Sequence, residues 1–249
     1  MDLRELKDTN QRRHPWETSR VLALKSILRG AIKSGLRVLD MGCGDGFVSR
    51  ELFEGTDVKD ITGVDISLTK EQIARFSKAG GAIRYFNGFP PGGRPYDLIL
   101  LLDVIEHTPD DRAFLSGIID KRLARGGRVM ITAPAFNLLF SSHDRFLGHY
   151  RRYSLKELAG VAENSGLRRV SSGYLYPALL LPSFFSALAG KVLKSSFENE
   201  GVGNWRHGRA VTLPIELFLR AGNWAALMLL RLGVTVPGLT VWMLCEKRR

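Results

Sequence analysis

From residue 36 onward, apolar runs of strand length alternate with segments of helix length. LRVLDM (36–41) leads into a helix from about Gly46, DITGVDI (60–66) into one from about Thr69, and IRYF (83–86) follows. YDLILLLDV (96–104) leads into a helix from about Asp110, and GGRVMITAP (126–134) is the next strand. These runs are apolar at nearly every position rather than at alternate ones. They therefore read as parallel strands covered on both faces by crossover helices. The pattern predicts a doubly wound α/β sheet.

Two further strands, LRRVSSGYLY (167–176) and GLTVWMLCEK (238–247), are separated by about sixty residues instead of a short loop. The expected division is a helical cap over 1–35, a sheet-bearing core over 36–176, an apolar helical insertion over 177–236 and a final strand over 237–249. Val170 to Gly190 carries no charge, but Pro177 and Pro182 interrupt it, serines dilute it, and its first third belongs to a strand, which argues against a membrane span. LPIELFLRAGNWAALMLLRLG (213–233) reads as an amphipathic helix. Core packing, a lid over an apolar substrate and a surface resting on a membrane all remain open for it.

The 249 residues are enough for one large domain with a sizeable core. Cys43 and Cys245 form no CxxC pair, so neither a disulfide framework nor a cysteine metal cluster is indicated, and a reducing, cytoplasmic compartment is expected. The first twenty residues are charged and polar, without the apolar stretch of a secretory signal. A formal charge of +11 would suit nucleic acid, an anionic membrane or an acidic substrate. The basic residues are scattered in small groups, however, which reads as solvated surface rather than a binding stripe.

Candidate chemistry begins at VLDMGCGDG (38–46). Gly42, Gly44 and Gly46 end the first strand and open a helix, where a ligand can approach backbone amides and the positive helix end. A dinucleotide fingerprint requires a small residue where Phe47 stands, and no Gly-Lys-Ser/Thr follows for a phosphate loop. Asp65, ending the second strand, can accept from both hydroxyls of a ribose, so the ligand carries a nucleoside. Asp40 adds a second carboxylate, and the pair suits a cationic ligand better than a pyrophosphate.

VLDMGCGDG, GVDIS, YDLILLLDVIEH and ARGGRVMITAP, taken in order, resemble the successive motifs of the class I S-adenosylmethionine-dependent methyltransferases, and the DVIEH stretch resembles the small-molecule, quinone-biosynthesis-like branch. The resemblance implies a Rossmann-like seven-stranded sheet whose last strand is antiparallel, in a single methyltransferase domain with S-adenosylmethionine as cofactor. It places Gly42, Cys43, Gly44 and Gly46 against the methionine moiety and ribose, with Asp40 steadying the loop. Asp65 and the adjoining Ile66 would hold the ribose side, and Asp103 and Val104 would stand near the methionyl end. Asn87 and Gly88 occupy the position at which many relatives carry an acidic residue for the adenine amine, a departure from the family pattern.

Methyl transfer from a sulfonium is an in-line displacement in which positioning supplies most of the acceleration, and a hydroxyl acceptor gains further from a base. His107 in DVIEH, with Glu106, either supplies such a group or braces the following helix. SSHDRFLGHYRRYSLKEL (141–158) crowds His143, Asp144, His149, Tyr150, Arg151, Arg152 and Tyr153 beyond the fifth strand, on the face where substrate is expected. His149 or His143 is the candidate base or orienting group, Arg151 and Arg152 are candidate anion contacts, and Ser154 with Glu157 forms a helix capping box. HPWETSR (14–20) resembles the start of a subset of the family. Pro15 opens a helix there, and Trp16 and Arg20 are candidates to close over donor or acceptor.

The leading expectation is methylation of a small or lipid-like acceptor, at oxygen, with the insertion as substrate roof or peripheral membrane contact. No metal site is indicated, and the oligomeric state is open. An RNA methyltransferase is the enzyme alternative, weakened because LLDVIEH stands where base-methylating enzymes carry Asn-Pro-Pro-Tyr. A non-catalytic S-adenosylmethionine-binding module is the third reading.

Overall fold

The computed structural model describes residues 13–78, 81–185, 205 and 207–248. Seven strands form one sheet: β1 (Arg37–Met41), β2 (Asp60–Val64), β3 (Ile83–Phe86), β4 (Tyr96–Leu102), β5 (Leu123–Pro134), β6 (Leu167–Leu175) and β7 (Thr240–Lys247). Their order is β3-β2-β1-β4-β5-β7-β6. Neighbours from β3 through β5 are parallel, and β7 runs antiparallel to both β5 and β6. The expected doubly wound sheet with an antiparallel last strand is thus present.

Helices α1 (Pro15–Leu28), α2 (Phe47–Phe53), α3 (Lys70–Lys78), α4 (Asp111–Arg122), α5 (Ser142–Leu147), α6 (Leu155–Asn164) and α7 (Arg209–Arg231) accompany it. Because β1, β4 and β5 are apolar on both sides, the sheet is flanked by two cores. Leu39, Ile99, Leu101 and Ile131 face Leu115, Ile119 and Leu158 of α4 and α6. Leu98, Leu100, Met130 and Trp242 face Leu24 and Leu28 of α1 and Leu219 and Leu227 of α7.

Three features depart from the sequence pattern. β4 stops at Leu102, short of Val104, because Asp103 takes a left-handed backbone (φ 59°) and a short 3-10 turn, Ile105–His107, follows. β5 begins at Leu123 rather than Gly126, Leu123 pairing with Tyr96 before a register shift restores Leu98 opposite Arg128. The stretch after β5 contains α5, set by a capping box of Ser141 and Asp144 and ended by left-handed Gly148.

The expected insertion is described over its two ends, while residues 186–204 and 206 lie outside the described set, as do residues 1–12 of the expected cap. Leu180 begins a helical stretch that continues to Phe185. α7 packs on α1 and β6 through Leu219, Asn223, Ala226 and Leu227, leaving Leu217, Phe218 and Trp224 exposed on its other side.

Candidate active site

The carboxyl ends of β1, β2 and β4 form a crevice, where such sheets bind ligands. Gly42, Gly44 and Gly46 all have positive φ (69°, 54° and 73°), so the loop needs the conformational freedom that glycine alone supplies cheaply. Gly42 N donates to Val64 O at 2.8 Å, fastening the loop to β2. A Cβ on Gly42 would lie 2.8 Å from Val104 Cγ2, so the loop and the segment after β4 are already in contact.

Asp65 stands at the end of β2 as expected. Its Oδ2 accepts from Gly44 N at 3.0 Å and its Oδ1 from Ser67 N at 2.9 Å, which fixes the carboxylate beside the glycine loop. Ile66 is 88% exposed beside it, an apolar side chain held out of the core at the crevice rim. The exposed Asn87 and the half-buried Gly88 follow β3, which Asp65 N joins by donating to Phe86 O at 3.0 Å. Asp40 is buried beneath the loop and accepts from Ser49 Oγ at 2.6 Å, tying β1 to α2. Burial raises its pKa to about 6, against the opposing pull of the Ser49 hydrogen bond. Cys43 is also pushed upward by burial, its sulfur packed near Gly63, so it stays a thiol.

A polar wall adjoins the crevice beyond β4 and β5. His149 Nδ1 lies 2.9 Å from Asp144 Oδ1, while Arg152 Nε and Nη2 reach the two oxygens of the same carboxylate at 2.9 Å each. Burial would raise the Asp144 pKa, but the His149 and Arg152 hydrogen bonds win and hold it far below the usual carboxylate range. The His149 ring meets His107 edge-on at 4.6 Å between centroids. Glu106 is fully buried, and neither of its oxygens has a hydrogen-bond partner among the described residues. Its pKa is driven well up by burial and then by the Asp103 charge. Ligand atoms of Glu106, His107 and His149 lie within 4.8 Å of one another, donor types and a spacing that could hold a divalent cation. That grouping goes beyond the sequence reading, which indicated no metal. The side-chain cap of α4 comes from Asp110, which accepts from Ala113 N.

Other predicted residues are placed differently. His143 stacks on the exposed ring of Phe146, outside the His107–His149 pair. Arg151 pairs with Asp111, and Tyr153 is buried with its hydroxyl donating 2.7 Å to Asp111 Oδ2, so both brace α4. Exposed Tyr150 donates its N–H to Glu106 O. Arg168, in another of the small basic groups, pairs with Glu246.

The HPWETSR segment forms the start of α1, with Pro15 in the first turn and the His14 side chain capping it. Trp16 stacks on Tyr176, whose hydroxyl donates 2.8 Å to Trp16 O. Arg13 pairs with Asp45 in the glycine loop. Buried Arg20 reaches Asp103 Oδ2 and Thr132 Oγ1, both at 2.7 Å. The Arg20–Asp103 and Arg13–Asp45 pairs are absent from the sequence reading.

Comparison with known proteins agrees with this geometry. The methyltransferase-domain family matches residues 11–172. A ubiquinone biosynthesis O-methyltransferase of Cereibacter sphaeroides is 32% identical over 104 residues, 39% of this chain and 40% of its own length. This chain spans about 40% of the length of the curated relatives first matched. Among solved structures, the N-methyltransferase NodS of Bradyrhizobium japonicum with S-adenosylhomocysteine superposes with TM-score 0.56 at 15% identity, over 99% of this chain and 96% of NodS. The [4+2]-cyclase SpnF superposes at TM-score 0.58 with 14% identity over 96% and 85%, so the fold alone does not fix the reaction. By its match over residues 11–172, this chain belongs to the methyltransferase-domain family, and its fold is the one that family's solved neighbours share.

Proposed function

We propose that the chain transfers a methyl group from S-adenosylmethionine to a hydroxyl of a small, lipid-like acceptor. The observation that carries this is the adjacency of two arrangements: a glycine loop and Asp65 shaped for a nucleoside, and the Asp144–His149 pair beside them. Bound S-adenosylmethionine supplies an electrophilic methyl on a sulfonium. Gly42, Cys43, Gly44 and Gly46 would hold it along the loop, Asp65 would take the ribose hydroxyls, Ile66, Asn87 and Gly88 would frame the adenine, and Asp103 and Val104 would hold the amino-acid end.

With Nδ1–H donated to Asp144, His149 keeps Nε2 free to accept the acceptor's hydroxyl proton as the oxygen–carbon bond forms. The products are a neutral methyl ether and S-adenosylhomocysteine, with the proton on His149 before its release. His107 lies against the same ring and orients it, while Trp16 of α1 and exposed Tyr150 border the acceptor space. Oxygen is favoured over nitrogen because an amine acceptor needs no such buried base, and the similar curated relatives act at oxygen.

The lipid-like character of the acceptor is supported by the apolar surface beside the site. α7 is long and apolar enough to cross a membrane, yet only 22% of its most apolar window is buried, unlike a core helix. Leu181, Phe185, Leu217, Phe218 and Trp224 are all more than half exposed. This face rests on the cytoplasmic side of a bilayer, from which the acceptor enters. The test is incubation with methyl-labelled S-adenosylmethionine and liposomes carrying a prenylated catechol. Label in an alkali-stable ether, lost in His149→Ala, is expected; alkali-labile label or label on amines overturns the assignment to oxygen.

A further inference from the structure

Arg20 was a candidate for direct contact with donor or acceptor, but the structure removes it from that role. Its side chain is 2% exposed, against 26% for the Asp103 side chain it pairs with. The arginine therefore approaches Asp103 from the protein interior, and the outer edge of the carboxylate stays open to the crevice. Three contacts close a ring: Arg20 Nη1 to Asp103 Oδ2 at 2.7 Å, Arg20 Nη2 to Thr132 Oγ1 at 2.7 Å, and Thr132 Oγ1 to Asp103 Oδ1 at 2.9 Å. Each carboxylate oxygen thus has one fixed partner and a remaining lone pair.

The backbone beneath is held as well. Asp103 sits at φ 59°, a left-handed conformation that costs a non-glycine residue free energy and persists where surrounding structure enforces it. Asp103 N donates to Thr132 O at 3.0 Å, so side chain and main chain are both referred to the same residue of β5. The guanidinium also lies 4.9 Å over the Trp16 ring, one turn back along α1. Just before the N-cap of α1, Arg13 holds Asp45 in the glycine loop. The helix and the residue leading into it therefore grip both lips of the crevice.

We propose that Arg20 is a positioning residue, holding the Asp103 carboxylate through the Thr132 ring in the orientation that receives the ammonium group of the cofactor's amino-acid end. This rests on the assignment of Asp103 to that end of the cofactor. Without the arginine, the carboxylate is free to rotate and loses its fixed direction toward the crevice. Recognition of adenosine, which depends on Asp65 and the glycine loop, is unaffected.

The experiment is calorimetric titration of the full chain with S-adenosylhomocysteine and with 5′-methylthioadenosine, which keeps the nucleoside and thioether but lacks the amino-acid end. In Arg20→Met, affinity for S-adenosylhomocysteine falls by about tenfold, as expected for a charge-assisted hydrogen bond, and affinity for methylthioadenosine is unchanged. Arg20→Lys, which keeps the Asp103 contact, recovers part of the loss. Thr132→Val reproduces the selective loss while sparing the buried charge, should Arg20→Met fold poorly. Equal losses for the two ligands, or no loss in Arg20→Met and Thr132→Val, overturn the role of Arg20. If Asp103→Asn leaves S-adenosylhomocysteine affinity intact, the assignment of Asp103 fails instead.

Discussion

Gly46→Ala perturbs the loop at its most constrained position. Gly46 has φ 73°, and an added Cβ would overlap the Tyr85 hydroxyl, lie 2.9 Å from that ring's Cζ and 3.0 Å from Ile83 Cδ1. Tyr85 is 6% exposed, so its ring cannot swing into solvent. Its hydroxyl donates to Asp45 O at 3.1 Å, a bond the displaced ring gives up. A non-glycine residue in the left-handed region costs roughly 1–2 kcal/mol, and the lost hydrogen bond about 1 kcal/mol. Gly46→Ala should therefore destabilise by about 2–3 kcal/mol in equilibrium urea unfolding. Tyr85→Phe removes the hydroxyl that the Cβ strikes and should cost about 1 kcal/mol alone. In that background the backbone cost dominates, so Gly46→Ala should cost about 1–2 kcal/mol. Equal costs in the two backgrounds, within about 0.5 kcal/mol, would refute the packing argument. A cost below that in the wild type would refute the backbone argument as well.

Further outcomes follow from the same contacts. Asp40 has its pKa raised from an ordinary 3.8 to about 6, so its effect on stability is fully favourable below the lower value and lost as pH rises through the upper one. At about 1.4 kcal/mol per pH unit this is worth about 3 kcal/mol, and Asp40→Asn, which still accepts from Ser49, should gain that much on the wild type between pH 4 and 7 in unfolding titrations. Asp144 is shifted the other way, so its contribution is present above the ordinary carboxylate range and disappears in acid. Asp144→Ala strands Arg152 and should cost about 3 kcal/mol at pH 7 in the same assay, the difference from wild type shrinking as pH falls below the ordinary carboxylate range. Replacing Phe218 and Trp224 by serine should leave unfolding within about 0.5 kcal/mol while reducing co-sedimentation with anionic liposomes.

The sheet was legible because buried parallel strands must be apolar on both faces, and LRVLDM and YDLILLL show this without tertiary information. The cofactor side of the site was legible for a related reason. A positive-φ loop needs glycine at specific positions, and Asp65 ends a strand whose place in the sheet follows from the pattern. What escaped the sequence is long-range. Arg20 and Asp103 are far apart in the chain, and a single arginine in a helix looks in sequence like any solvated one. Glu106 reads in sequence as a site group or a brace for the following helix, because nothing local indicates that a carboxylate will be buried without partners. Arg151, Arg152 and Tyr153 looked like substrate contacts because they cluster, yet clustering serves ion pairing equally well, and Asp111 and Asp144 take them up. The left-handed Asp103 that ends β4 early is likewise set by Thr132 across the sheet, not by its neighbours in sequence.

The most direct test of the central claim is calorimetric titration of S-adenosylmethionine into the wild type and into Asp65→Ala. The account predicts saturable one-to-one binding to the wild type, weakened by about tenfold or more in the variant through loss of the ribose hydrogen bonds. Absence of binding to the wild type, or binding that is indifferent to Asp65, would contradict it.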